Sequence, residues 1–344
     1  MRIKGISYDT GFVRSGACSR KRFEPELVRE ELRIIRDDLH CNAVRIMGGD
    51  PDRIELAAGF AAELGLEIWY SPYPLELAQE ELLELLADCA RRAERLRRTG
   101  AEVVFLTGAE LSLMNRGFLP GDSTDERIAL LARPEAVREH LGAVSGRVNA
   151  FLRTAVATVR THFGGPVSYA AVPLERVDWE PFDLVSLDLY RDATTADRFA
   201  GGVRELTAQS KAAHGKPVAV TEFGSATYRG AGDRGAMGLE IVEYDADGPV
   251  RLTGVHERDE AGQAAYVREL LAAFDAGGID AAFVFTFALY DFVHRPDGDP
   301  REDLDLASYG LVKVGEDRHG DRPGLLPWEP KLSFAAVGEY YRTH

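Results

Sequence analysis

Eight short apolar stretches punctuate the chain, at 3–9, 43–47, 66–72, 102–108, 167–172, 184–190, 217–223 and 281–287. Each is rich in Val, Ile, Phe or Tyr and is bounded by turn-forming residues, which predicts strands. Between them run stretches with helical periodicity, clearest at 25–39, 79–98, 203–214 and 261–278. Near-continuous apolar strands that alternate with helices are buried on both faces and parallel. Eight such units predict an α/β protein, a closed (β/α)8 TIM barrel. An open doubly wound sheet is the competing arrangement. The segment "SYDTGFVRSG" after the first strand lacks the G-x-G-x-x-G turn that such sheets commonly carry. No internal repeat or low-complexity linker divides the chain, so 1–344 is expected to form a single domain. Three long stretches, 111–140, 227–259 and 291–330, each follow a strand and belong on the C-terminal face of a barrel. Within the second, "LEIVEYDADGPVRL" (239–252) alternates and contains Asp-Gly, a hairpin signal. That loop is expected to fold over the barrel mouth.

Composition narrows the partners. The 344 residues carry a net charge of −15, which argues against nucleic acid and anionic membrane surfaces. The arginine cluster at 91–98 reads as one solvated helix face. The three cysteines, Cys18, Cys41 and Cys89, match no metal or redox spacing. With an N-terminus that enters a strand at once and no apolar run of 18 residues, a cytoplasmic protein is expected. Oligomeric state is left open. The eight histidines show neither H-x-H nor H-E-x-x-H, so no metal or other cofactor is expected. None of the six lysines ends a strand, which removes Schiff-base chemistry.

The chemistry lies at the strand ends. Strand one ends at Tyr8 and Asp9, strand two carries Arg45, and strand three ends at Trp69, Tyr70 and Tyr73. Strand four ends in "TGAELS" with Glu110, strand five leads to Asp178 and Trp179, and strand six ends at Asp188 and Tyr190. Strand seven ends at Glu222, and strand eight offers Phe285, Phe287 and Tyr290. Two glutamates thus face one mouth from strands four and seven. Two carboxyls across a small gap suit glycoside hydrolysis, one protonated as acid and one ionised as nucleophile. An arginine near one of them, with Arg45 the candidate, holds that one ionised.

The order of these residues resembles the clan of retaining (β/α)8 glycoside hydrolases with catalytic glutamates on strands four and seven. The resemblance implies that Glu110 is acid/base and Glu222 nucleophile. It implies that Arg45 in "AVRI" and Tyr190 contact the nucleophile, and that "YGLVKV … PWEPKLSFAAVGEYY" closes the barrel after strand eight. Most clan members have Asn before the acid/base, where this chain has Ala109. "TGAEL" looks more like the β-mannanase branch with a glycine, a small residue and then Glu-Leu. A carbohydrate substrate with β-mannosidic linkages is therefore expected. Trp69, Trp179, Phe287 and Tyr290 join Arg45 and Tyr190 as candidate sugar contacts, whereas Trp328 is assigned to packing.

Blander assignments compete at each position. Glu222 could be a structural carboxylate paired with an arginine, Glu110 an acid at a helix N-terminus, and the aromatics ordinary core. Ala109 also sustains a reading from another class, a non-catalytic barrel that binds sugar or a protein partner.

Overall fold

A computed structural model describes residues 1–14, 17–131, 134–245, 248–316 and 326–344. Its centre is a barrel of eight parallel strands: β1 Ile3–Asp9, β2 Ala43–Gly48, β3 Glu67–Pro72, β4 Val103–Ala109, β5 Val167–Ala170, β6 Val185–Asp188, β7 Val218–Phe223 and β8 Ala281–Val284. The hydrogen-bonded order runs β5-β4-β3-β2-β1-β8-β7-β6. The ring closes through the parallel bridge Ala171–Leu187. The chain is thus a TIM barrel.

Alternation along the strands sorts side chains into two cores. Ile3, Ala43, Trp69, Val104, Leu106, Ala219, Ala281 and Phe283 fill the barrel interior. Ile6, Val44, Ile46, Ile68, Phe105, Val218 and Val220 face the helices around it. Gly5 makes room inside: a Cβ there would lie 2.3 Å from the Phe283 ring. The outer ring comprises α1 Pro25–Asp37, α2 Pro51–Glu63, α3 Gln79–Arg98, α4 Pro134–Arg160, α5 Phe199–His214, α6 Glu260–Ala276 and α7 Leu332–Thr343. Their starts are encoded locally. Asp50 caps α2 by accepting from the Asp52 and Arg53 amides, and Asp259 caps α6 through the Gly262 amide.

One connection departs from the expected alternation. Between β5 and β6 there is no α-helix, only the short turn Pro173–Glu175. The chain then returns along the outside of the barrel, where Trp179 and Phe182 pack edge to face. Lys216, just before β7, donates to the Trp179 carbonyl at 2.6 Å, and the Asp183 amide donates to the carbonyl of Val167, the first residue of β5. Trp179 therefore lies at the N-terminal end of the strands, opposite the mouth.

The loop after β7 contains the antiparallel hairpin Val242–Asp245 with Gly248–Leu252; the residues joining its strands lie outside those described. Tyr228, Ile241, Val242 and Leu252 from this loop form a small apolar cluster with Leu289, Phe292, Leu304, Leu306 and Tyr309. The Tyr309 hydroxyl donates to the Gly235 carbonyl and accepts from the Gly238 amide. The loop is thereby pinned beside Tyr190, whose ring meets Tyr309 edge-on at 6.1 Å.

Candidate active site

Strict alternation along β7 would bury Ala219 and Thr221 in the barrel and turn Glu222 toward the helices. The structure avoids this with a β-bulge. Leu187 of β6 pairs with Val220, but Asp188 pairs with Glu222, so Thr221 is an extra residue on β7. The register with β8 slips at the same place. Both Thr221 and Glu222 then face the interior, while Phe223 returns to the outer core against Phe274 of α6. Gly224 follows because the chain passes close to β8: a Cβ there would lie 2.3 Å from the Phe285 carbonyl oxygen. A second slip occurs on β4, between Leu106 and Ala109, where Gly108 has φ +111°. Bulges of this kind re-aim side chains at barrel rims. Glu110 follows in the left-handed region, at φ 46° and ψ 40°. For a residue with a Cβ this conformation costs about 1–2 kcal/mol.

Glu222 is held by two donors. Arg45 Nη1 donates to Oε2 at 3.2 Å, and the Tyr190 hydroxyl donates to Oε1 at 2.8 Å. Arg45 is fully buried, fixed by the Thr221 carbonyl at 3.0 Å and by Ser71 Oγ at 3.3 Å. Glu110 has a weaker environment. Its backbone amide donates to the Ala170 carbonyl, and the Tyr73 hydroxyl approaches its Oε2 at 3.4 Å. Among the described residues, neither Arg45 nor Tyr190 hydrogen-bonds Glu110.

A third carboxyl completes the group. Asp188 accepts from Thr221 Oγ1 at 2.6 Å and lies 3.9 Å from Arg45 Nη1. Its Oδ2 and Arg45 Nη2 are buried without a partner. One guanidinium thus faces three carboxyls, which would leave a net charge of −2 if all were ionised. Like charges gathered in a buried cluster repel by roughly several kcal/mol at an effective dielectric near 20, and each 1.4 kcal/mol is about one pKa unit. Protons must therefore remain on the cluster. Burial pushes the Glu110 carboxyl well above the usual range, and the charges of Glu222, Asp188 and Glu175 push it further. Burial raises Asp188 to about 8. Glu222 is also raised by burial, but Arg45 and the Tyr190 hydroxyl oppose the shift. The ionised form is thus best supported at Glu222, and the proton at Glu110. The arrangement can donate a proton from one carboxyl while the other attacks or stabilises a cation.

The structure brings Glu110, Glu222, Arg45 and Tyr190 together, and leaves the four proposed aromatic platforms away from them. Trp69 is fully buried one layer below Ser71, packed on Phe283 at 4.7 Å, with its Nε1 donating to Glu67. Trp179 sits at the opposite end of the barrel, as described above. Phe287 faces outward between Tyr8 and Trp328. The Tyr290 hydroxyl donates to Glu31 of α1. Each fits inter-element packing: alternation or a loop's return sets its side, and aromatic type alone does not. Phe285, by contrast, packs on Tyr309 beside Tyr190. Tyr73 and Asp188 stand at strand ends in the sequence, and Asp188 shares a phase with Tyr190. That shared phase was an available signal. Among the described residues, no group of three or more His, Cys, Asp or Glu side chains is placed to hold a metal ion.

No family model matches the sequence, and no curated protein matches it. Solved structures do. A GH113 β-mannanase from Alicyclobacillus acidocaldarius, in complex with ManMIm, superposes with a TM-score of 0.60 at 17% identity, covering 99% of this chain and 97% of that one. A second GH113 β-1,4-mannanase gives 0.58 at 15% identity, covering 99% of both chains. A β-glucosidase gives 0.57 at 14% identity, covering 99% of this chain and 98% of that one. The likeness is one of fold. It extends over the whole chain, and among the described residues no helix is long and apolar enough to cross a membrane.

Proposed function

We propose that the protein is a retaining glycoside hydrolase acting on β-glycosides, with β-mannosides the favoured class. Glu222 attacks the anomeric carbon, and Glu110 protonates the departing oxygen. Glu110 then deprotonates the water that releases the sugar. One observation carries the proposal: two carboxyls at the ends of β4 and β7, of which Glu222 alone is held by Arg45 and the Tyr190 hydroxyl. Arg45 and Tyr190 hold Glu222 as an acceptor, whereas Glu110 is crowded by anions and retains a proton. The choice of mannose rests on the Gly-Ala-Glu-Leu segment at 108–111 and on the β-mannanases among the structural neighbours. The loop after β7 walls the site beside Tyr190, which favours short substrates.

A panel of aryl β-glycosides, including mannosides and glucosides, tests the proposal, with the product anomer read by NMR. The expected result is turnover with retention that disappears in Glu222→Ala. Sugar binding without turnover by the unaltered protein would transfer the chain to the binding-module class. Inversion would remove the nucleophile role from Glu222.

A further inference from the structure

Three successive backbone N–H groups follow the end of β4, and all three are tied to β5 and the turn after it. The Glu110 amide donates to the Ala170 carbonyl at 2.9 Å. The Leu111 amide donates to the Tyr169 hydroxyl oxygen at 2.7 Å. The Ser112 amide donates to Glu175 Oε1 at 2.9 Å. The Tyr169 hydroxyl in turn donates to the Glu175 carboxyl, 2.9 Å from either oxygen. Leu111, Ser112, Tyr169 and Glu175 are each wholly inaccessible to solvent.

These bonds bear on Glu110 for a geometric reason. The single helical turn Leu111–Met114 starts immediately after it, and the first amides of a helix have no partner within the helix. Water or a local cap ordinarily serves them. Here a tyrosine from β5 and a glutamate from Pro173–Glu175 reach in from another element. They hold the turn whose first residues set the backbone of Glu110 in its left-handed conformation. Burying a carboxyl for this purpose is costly unless it is hydrogen-bonded, and Glu175 is bonded by two donors. A catalytic acid displaced by about 1 Å loses roughly a hundredfold in rate, so the brace has a chemical consequence.

We infer that Tyr169 and Glu175 are positioning residues for the acid/base step, aiming Glu110 from behind without touching substrate. The inference rests on the hydrolase assignment made above and extends it to residues outside the mouth. Glu175 has a second, electrostatic effect. Burial pushes its own carboxyl up to about 7, and in its ionised form its charge adds to those of Glu222 and Asp188 in raising Glu110, against Arg45; Tyr73 and Tyr169 are the other titratable groups near that carboxyl.

The test uses the full-length protein, Tyr169→Phe and Glu175→Gln, on aryl β-glycosides with leaving groups from phenol to 2,4-dinitrophenol. Phenol needs a proton to leave, and dinitrophenol does not. Tyr169→Phe is expected to lower kcat/KM about tenfold or more on the phenyl glycoside and less than about threefold on the dinitrophenyl one. Its dinitrophenyl kcat, limited by the base-assisted release of the sugar, is expected to fall, and azide, a nucleophile that needs no general base, to restore it. Glu175→Gln keeps an acceptor for Ser112 but loses the charge. A smaller rate loss is expected, with the basic limb of the pH profile moved to lower pH. A uniform loss across leaving groups without azide rescue marks a merely structural role and overturns the inference, as do unchanged rates. If Tyr169→Phe does not fold, Glu175→Gln decides through its pH limb and leaving-group slope. If the unaltered protein turns over none of the substrates, the hydrolase assignment falls and this inference with it. Normal turnover with unmoved slopes removes the inference alone.

Discussion

Glu31 and Glu222 are both buried beside an arginine with tyrosine hydroxyls aimed at the carboxylate, yet their surroundings differ. Glu31, on α1, accepts from Arg20 Nη2 at 2.9 Å, Tyr8 at 2.5 Å, Trp328 Nε1 at 2.9 Å and Tyr290. One carboxylate there meets four donors from four parts of the chain. Arg20 also lies over the Tyr290 ring at 4.0 Å. At the mouth, one guanidinium serves Glu222 and Asp188 with Glu110 close by, and the Asp188 Oδ2 carboxyl oxygen is buried without a donor. A carboxylate fully supplied with donors is a strut: it joins β1, α1 and the segments at 290 and 328. A cluster short of donors must share protons, and shared protons are what acid/base chemistry uses. Burial and a neighbouring arginine do not separate the two sites; the ratio of donors to acceptors does.

The widest separation between the two sites is expected from removing each charge. Glu222→Gln should lower turnover by about 10⁴–10⁶ and leave the melting temperature unchanged or higher, because it relieves repulsion. Glu31→Gln should do the reverse. It leaves Arg20 buried against a neutral amide, a loss of about 3–5 kcal/mol of stability, with activity per folded molecule preserved. Thermal melts and rates on the two variants check this. An inactive but fully stable Glu31→Gln would break the comparison.

A smaller contrast is expected from the tyrosines. Tyr190→Phe removes a donor that favours ionised Glu222, so the Glu222 pKa rises. The acidic limb of kcat/KM should move up by about one pH unit. Tyr290→Phe should leave the pH profile in place and cost about 1–3 kcal/mol of stability. Matching pH shifts in both variants would show that the two tyrosines are not distinct in role.

The smallest effect concerns Asp188. Burial raises its pKa to about 8, above the usual value near 4 for an unfolded chain. The folded form therefore binds the proton more tightly. Asp188's contribution to stability is fully present below about pH 4 and is lost as pH rises toward 8. Asp188→Asn should flatten the decline of melting temperature between about pH 5 and 8. Equal slopes in the two proteins would assign that decline to other groups.

Much of the barrel was legible in the pattern of apolar runs. The strand starts fall within a residue of the expected ones, and the strands Val242–Asp245 and Gly248–Leu252 pair inside the stretch expected to carry a hairpin. The side chains at the mouth were legible in part. Arg45 lies mid-strand in a regular stretch of β2, so its inward phase follows from Ala43 and Met47. Tyr190 shares the phase of Asp188. The expected aromatic platforms show the limit. Trp69 has the same inward phase as Ser71 and Tyr73 but stands one layer deeper, where the barrel is packed. Trp179 follows a connection that carries no helix, and no local signal marks its return to the far end. Phe287 and Tyr290 lie beyond β8, where a loop's path sets their direction.

By itself the sequence determined the eight strands, most of the helices, the long loops on one face and the presence of acids at the ends of β4 and β7. These follow from local hydrophobic periodicity, which acts over a few residues. Only the tertiary structure decided that Glu222 faces inward. Its phase depends on a bulge at Thr221, set by pairing with β6 and β8, whose sequences lie far away along the chain. The same holds for the donor count around each carboxylate and for the brace from Tyr169 and Glu175. Hydrogen bonding and charge repulsion act through space, so partners far apart in sequence, 177 residues for Arg45 and Glu222 and 297 for Glu31 and Trp328, become neighbours only when the barrel closes.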